Sequence, residues 1–279
     1  MNKQLENIRH KEFKVLDHGF IKLIDWMGGD EDVVKAARLS YGKETSTPER
    51  DKGLINYLMR HYHTTPFEMC EIKLHIKLPI FIARQWIRHR TANVNEYSAR
   101  YSILDNEFYI PEVDKIGIQS SENHQGRGKC LKSEEAFKVQ EMLIEDATKC
   151  YETYEKLLDE YDVAREISRM NLNLNYYTQW IWKTDLHNFM NFIRLRMDEH
   201  AQYEIREYAK VMYDILKLWC PMTAEAFENY RLKSFNLSGE MVEFLKDCLK
   251  DKEVKNPFNY EMSSREFKEL SERLGLENN

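Results

Sequence analysis

The chain has 279 residues, is 42% hydrophobic and 12% aromatic, and carries a net charge of -6. That length suits one large domain or two small ones, and a chain of this size buries roughly 75% of the surface its unfolded form exposes. The mild acidic balance argues against a general nucleic-acid binder, and no apolar run approaches the ~20 residues that span a bilayer. Five widely spaced cysteines, with no Cys-x-x-Cys pair, read as free thiols of a reducing cytoplasm. Met1-Asn2-Lys3-Gln4-Leu5-Glu6 shows no apolar secretory segment.

Residues 20–26 predict a strand closed by Gly28-Gly29, after which Asp30 caps a helix that turns Val33, Val34 and Ala37 toward a core. Thr47-Pro48-Glu49 starts a second helix with proline at its first position. Its expected buried face is Leu54, Leu58 and Tyr62, and it ends near His61-Tyr62-His63. Residues 71–78 alternate strictly, with Ile72, Leu74, Ile76 and Leu78 against Glu71, Lys73, His75 and Lys77. This is a half-buried strand with His75 on its solvated side. Pro79 opens a helix through Arg88, placing Arg84 and Arg88 on one face; Arg84 by itself reads as a structural ion-pair partner. Residues 112–132 are polar and predict a surface loop. Helical patterns follow over about 133–160, 162–182 and 185–218, and the last 45 residues carry shorter ones. Ser263 with Glu266 forms a capping box for one of these. Tyr176, Tyr177, Trp180 and Trp182 read as core or interface residues. Strands early and helices late predict an α+β fold with no internal repeat.

Two features ask for a ligand. Between Gln85 and Tyr101 stand Arg88, His89, Arg90 and Arg100 against a single acid, Glu96. Such a cationic nest inside an acidic chain needs an anionic partner. In the 185–218 pattern, Phe189, Phe192, Ile193, Arg196, His200 and Tyr203 fall on one helical stripe. An unpaired buried guanidinium costs several kcal/mol, so Arg196 must meet a carboxylate or line a cavity that holds an anionic or polar ligand. Ser98 has no base among its sequence neighbours, which disfavours nucleophilic attack. His61 and His63 lack the spacing of zinc motifs, and no metal site is expected.

The run Arg88-His89-Arg90, then seven residues, then Ser98-Ala99-Arg100-Tyr101, resembles the signature of the flavin-dependent thymidylate synthases. Three further blocks match in order: Ala36-Ala37-Arg38-Leu39-Ser40, His63-Thr64-Thr65-Pro66-Phe67-Glu68, and Asn191-Phe192-Ile193-Arg194-Leu195-Arg196 continuing to His200-Ala201-Gln202-Tyr203-Glu204-Ile205. The resemblance covers residues 15 to 231. It implies an α+β fold with a central, mostly antiparallel sheet and long helices. The catalytic domain would span 1–231, followed by a helical extension, 232–279, of no assigned role.

The resemblance further implies conversion of dUMP to dTMP in the cytoplasm. Methylenetetrahydrofolate would be the carbon donor, FAD the bound cofactor and NADPH the reductant. The enzyme would be a homotetramer whose active sites are shared between subunits, with no nucleic-acid or membrane partner. Carried over residue by residue, it assigns the flavin to Ser40, His63, Thr65, Glu68, Arg88, His89, Arg90, Glu96, Asp185, His187, Asn191 and His200. It assigns dUMP to Gln85, Arg88, Glu96, Ser98, Ala99, Arg100, Arg169 and Arg196, with Arg196 as the main catalytic residue. The chain departs from the family pattern at Asp185 and His187, where Asn and often Arg are usual, and after Arg169, where Leu172 precedes Asn173 in place of the usual Leu-Pro. A classical synthase built on a cysteine nucleophile, a polynucleotide-binding module and a flavin binder without catalysis are the competing readings.

Overall fold

A computed structural model describes residues 2–39, 42, 47–121, 126–249 and 262–275. The chain divides into two compact units, Met1–Leu232 and Lys233–Asn279.

The first unit opens with α1 (Lys3–Ile8), β1 (Glu12–Val15), β2 (Gly19–Met27), α2 (Asp30–Leu39), α3 (Pro48–Arg60) and α4 (Thr65–Glu68). Thr47 caps α3 by accepting from the Arg50 amide at 3.4 Å. The buried face of α3 is Ile55, Leu58 and Met59; Tyr62 lies beyond the helix end and is exposed, contrary to the expected burial. Asp30 begins α2 but serves another helix. Its carboxylate accepts from the Met222 amide at 2.8 Å, the Thr223 amide at 3.0 Å and the Thr223 hydroxyl at 2.6 Å. It thereby satisfies amides in the first turn of the later helix α10 (Pro221–Phe227), where orphan N–H groups need acceptors.

The predicted alternation forms β3 (Glu71–Pro79), followed by α5 (Ile80–Trp86) and β4 (Asn93–Glu96). Residues 112–132 are more than a loop: β5 (Gly117–Gln119) and β6 (Arg127–Cys130) pair as an antiparallel hairpin. Then come α6 (Ser133–Asp159), α7 (Arg165–Ser168) and β7 (Tyr177–Asp185).

β7 overturns the expected helix over 162–182. Thr178, Trp180, Trp182 and Thr184 are buried in strict alternation. Aromatic and β-branched side chains suit a pleated, half-buried surface better than a helix. The sheet order is β1-β2-β3-β7-β4, and every adjacent pair is antiparallel. The last strand in sequence among the described residues thus sits inside the sheet, between β3 and the short edge strand β4.

The expected single helix over 185–218 is two: α8 (Leu186–Arg196) and α9 (Tyr203–Trp219). The Asp198 carboxylate accepts from the His200 amide at 2.9 Å and meets the His200 ring at 2.9 Å. This local turn competes with the helical ladder and breaks it. His200 is consequently exposed and off the apolar stripe.

Ile21, Leu23, Ile72, Leu74, Ile76, Leu78, Trp180 and Trp182 form the core face of the sheet, covered by α5, α8 and α9. Trp86 lies at its centre, 4.1 Å from the Phe192 ring and edge-on to Trp180, Trp182 and Tyr208. On the opposite face His75 is half-buried rather than solvated, 2.9 Å from Gln179 and edge-on to Phe20; burial lowers its pKa. In the second unit, Ser263 caps α12 (Ser264–Leu274), which follows α11 (Gly239–Leu249), by accepting from the Glu266 amide at 3.2 Å.

Candidate active site

The Arg-His-Arg run occupies the turn between α5 and β4. Pro79 starts α5, where the Ile80 and Phe81 amides donate to the Tyr176 and Leu174 carbonyls at 2.8 and 2.9 Å. The helix closes with the Ile87 amide on Ala83 and the His89 amide on Trp86. Arg88 therefore lies past the helix end rather than within it. Two threonines of β7 then hold the following segment: Thr184 donates to the Thr91 carbonyl at 2.8 Å, and Thr178 to Glu96 Oε1 at 2.7 Å.

Arg88, His89, Arg90 and Thr91 face Trp182, Thr184, Asn188, Asn191, Leu195 and Arg196 across a cleft of about 320 Å³. Asn188, Asn191 and Leu195 share one face of α8 at spacings of three and four. That period is visible in the sequence, but only Asn191 was singled out. Among the described residues none of Arg88, Arg90 and Arg196 has a carboxylate partner. Asp185 stands beside this cleft as the N-cap of α8, with one oxygen on the Asn188 amide at 2.8 Å and the other on the Asn188 side chain at 2.7 Å.

Arg196 is the last residue of α8. Its Nε donates to His89 Nε2 at 3.0 Å and its Nη2 to the Gln85 carbonyl at 3.3 Å. Burial and the adjacent guanidinium push the His89 imidazole down to about 4. His89 is therefore neutral at pH 7, accepting on Nε2 and carrying its proton on Nδ1. Its ring stacks edge-on to Phe192 at 4.8 Å. Burial also lowers the Arg196 pKa, though an arginine stays charged throughout the working range.

This pair links stability to pH. The unfolded chain protonates a histidine near pH 6.5, whereas folded His89 resists protonation down to about pH 4. The contribution is nil above pH 6.5, where both states are neutral. It becomes a penalty as pH falls through that window, because the unfolded state then binds more protons. His89→Gln is expected to flatten the fall in melting temperature between pH 6.5 and 4; an unchanged slope would assign the acid sensitivity elsewhere.

The remaining sequence candidates lie outside the lining of this cleft. Gln85 donates from Nε2 to Gln202 Oε1. Ser98 accepts from the Arg100 amide at 3.3 Å inside a turn, next to buried Ala99. Arg100 pairs with Glu166 at 3.3 Å on the surface. Arg169 lies in a short 3-10 turn, Arg169–Asn171. His187 is in the first turn of α8. His63 and Thr65 line a second, mainly apolar hollow of about 650 Å³ with Tyr57, Tyr62 and Met69, and Glu68 is exposed at the end of α4. Ser40 lies outside the described residues. Arg84, expected as an ion-pair partner, is exposed and has no ion pair among the described residues.

The fold and the cleft define an α+β protein whose guanidiniums, without carboxylate partners among the described residues, stand with a neutral imidazole and amides set to receive a polar anion. Comparison with known proteins carries this further. The thymidylate synthase complementing protein family matches residues 22–222. A flavin-dependent thymidylate synthase of Ehrlichia ruminantium (strain Gardel) is 56% identical over 271 residues, spanning 97% of this chain and 91% of that protein. One of Rickettsia bellii (strain RML369-C) is 56% identical over 282 residues, spanning 97% and 96%. The solved structure of the UMP/dUMP methylase PolB from Streptomyces cacaoi, bound with 5-Br dUMP, superposes with a TM-score of 0.71. It is 29% identical and covers 79% of this chain and 99% of that one. The chain belongs to the thymidylate synthase complementing family, as a flavin-dependent thymidylate synthase.

Proposed function

We propose that this chain methylates dUMP reductively to dTMP, with 5,10-methylenetetrahydrofolate as carbon donor and NADPH as the reductant of bound FAD. The observation that carries this reading is the convergence of Arg88, Arg90 and Arg196, without carboxylates, on one cleft in an acidic chain. Planar guanidiniums suit phosphate and pyrophosphate oxygens two at a time, so the residues present fit a flavin dinucleotide and a nucleotide monophosphate. Bound FAD supplies the redox chemistry that no side chain offers.

In this reading Arg88, His89, Arg90 and Asn191 hold the flavin, together with Ser40, His63, Thr65, Glu68, Glu96, Asp185, His187 and His200. Gln85, Arg88, Glu96, Ser98, Ala99, Arg100, Arg169 and Arg196 hold dUMP. His63 and Thr65 line a different hollow from the Arg-His-Arg run, which supports a homotetramer whose sites draw residues from neighbouring subunits. Residues 1–231 form the catalytic domain. The remainder, 232–279, is an extension. No helix among the described residues is long and apolar enough to cross a membrane, and the reading places the enzyme in the cytoplasm.

The chemical task of the protein is to make carbon 5 of uracil electron-rich. His89 and the Gln85 carbonyl fix Arg196 on Nε and Nη2, which leaves Nη1 and the second Nη2 proton to bind the ring. Once the N3 proton has left to solvent, these groups donate to the ionised N3 and its neighbouring carbonyl oxygen and stabilise the negative charge held there. A preorganised donor does this best in a site from which water is excluded. Because His89 is neutral, it orients the guanidinium without adding a second positive charge.

Neither Cys70 nor Cys220 is set up as a nucleophile. Burial pushes the Cys70 thiol up to about 12, and Cys220 is buried and also raised, whereas thiolate catalysis needs a lowered value. Purified protein is expected to show a flavin absorption spectrum and to release tritium from 5-tritiated dUMP in the presence of the folate and NADPH. Neither signal after addition of FAD would overturn the reading.

A further inference from the structure

Glu204 is a buried acid that the reaction above does not use. Glu204 stands in the first turn of α9 at 0% exposure, where a carboxylate needs partners. Its Oε1 accepts from the Tyr109 hydroxyl at 3.0 Å and from Arg127; Oε2 is buried with no hydrogen-bond partner among the described residues. Arg127 opens β6, donates from Nη1 to the Lys115 carbonyl at 2.8 Å, and lies 5.7 Å from the Tyr203 ring. One guanidinium therefore pins the β5–β6 hairpin to the start of α9. Two residues before Glu204, Gln202 Oε1 accepts from Gln85 Nε2. The Gln85 carbonyl in turn accepts from Arg196 Nη2 at 3.3 Å. A chain of bonded groups thus runs from the hairpin to the guanidinium of the active site.

We propose that Arg127 and Glu204 are positioning residues for the synthase reaction: their pair sets the start of α9, and through Gln202 and Gln85 it aims Arg196. The inference rests on the thymidylate synthase reading. It gives the 112–132 segment a task, as a brace for the site. The run alternates hydrogen bonds with the backbone of residues 202–204 and of Gln85, so a shift at the start of α9 reaches Arg196 through contiguous groups. Sub-ångström errors in aim cost turnover more than they cost binding.

The test uses full-length holoenzyme with Arg127→Ala, Gln202→Ala and the double variant. Arg127→Ala is expected to lower kcat about tenfold, with KM for dUMP within about twofold. In the Gln202→Ala background it should lower kcat no further, while the melting temperature still falls; Arg127→Lys should restore part of kcat. Such non-additivity marks residues that act through one another. Additive losses, or an unchanged kcat with a lower melting temperature, would assign the pair to the fold alone and overturn the proposal. Hydrogen exchange reads the same relay without turnover. Peptides covering 83–90 and 197–206 should both exchange faster in Arg127→Ala, and an unchanged 83–90 peptide overturns the relay whatever the activity. Absence of turnover in the wild type would instead overturn the synthase reading.

Discussion

Replacing Arg196 by lysine is expected to lower kcat by about 10²–10³-fold, the cost of removing one preorganised donor from a developing oxyanion. Bound flavin, read as the ratio of visible to ultraviolet absorbance, should stay near the wild-type value. Lysine keeps the charge but not the fork. Arg196 uses Nε for His89 and Nη2 for the Gln85 carbonyl, and still has donors left for a ligand. An ammonium concentrates its donors on one freely rotating atom and cannot serve three fixed acceptors at once. His89 would then lose the donor that holds its ring. Turnover within about twofold of wild type would remove Arg196 from the mechanism.

Trp86→Ala is expected to cost about 3–5 kcal/mol, the range for truncating a large buried aromatic. In a chain of this size that lowers the melting temperature by on the order of 10 °C. Trp86 is fully buried and touches the rings of Phe192, Trp180, Trp182 and Tyr208. Little of the space it leaves is refilled by such rigid neighbours. The damage should reach function, because Trp86 ends α5 and its carbonyl holds the His89 amide at 2.9 Å. Trp86→Phe should cost far less: it keeps the ring contacts and removes an indole N–H that is buried without a hydrogen-bond partner among the described residues. Calorimetry of the two variants checks both statements, and equal losses would mean that the ring contacts are not what Trp86 contributes.

Local signals in the sequence were reliable where the energetics are local. Thr47 before Pro48 and Ser263 before Glu266 cap helices as read, because a cap is completed within one turn. The alternation over 71–78 is a strand because its period is set by the pleat alone. Errors came where a residue's partner lies far along the chain. Asp30 looked like the cap of its own helix, yet its carboxylate is taken by Thr223, 193 positions away. The segment 177–185 carries the strand period, although long helical patterns flank it. Pairing with β3 along its whole length decides its state.

For the candidate site the division is similar. The residue types and spacing of 88–101 and 191–205 are enough to identify the family and to nominate Arg196, since chemistry that binds phosphate and polarises a pyrimidine restricts which side chains can serve. The tertiary structure alone decided which of them meet. His89 and Arg196, 107 positions apart, share a hydrogen bond. Asn188, Thr184 and Trp182 join the cleft, while Glu204 and Arg127 brace it from outside. A sequence records what each side chain can donate, accept or bury. Only the closed sheet and its covering helices determine which partner is within reach, because that choice depends on contacts whose entropic cost is met by the whole core folding at once.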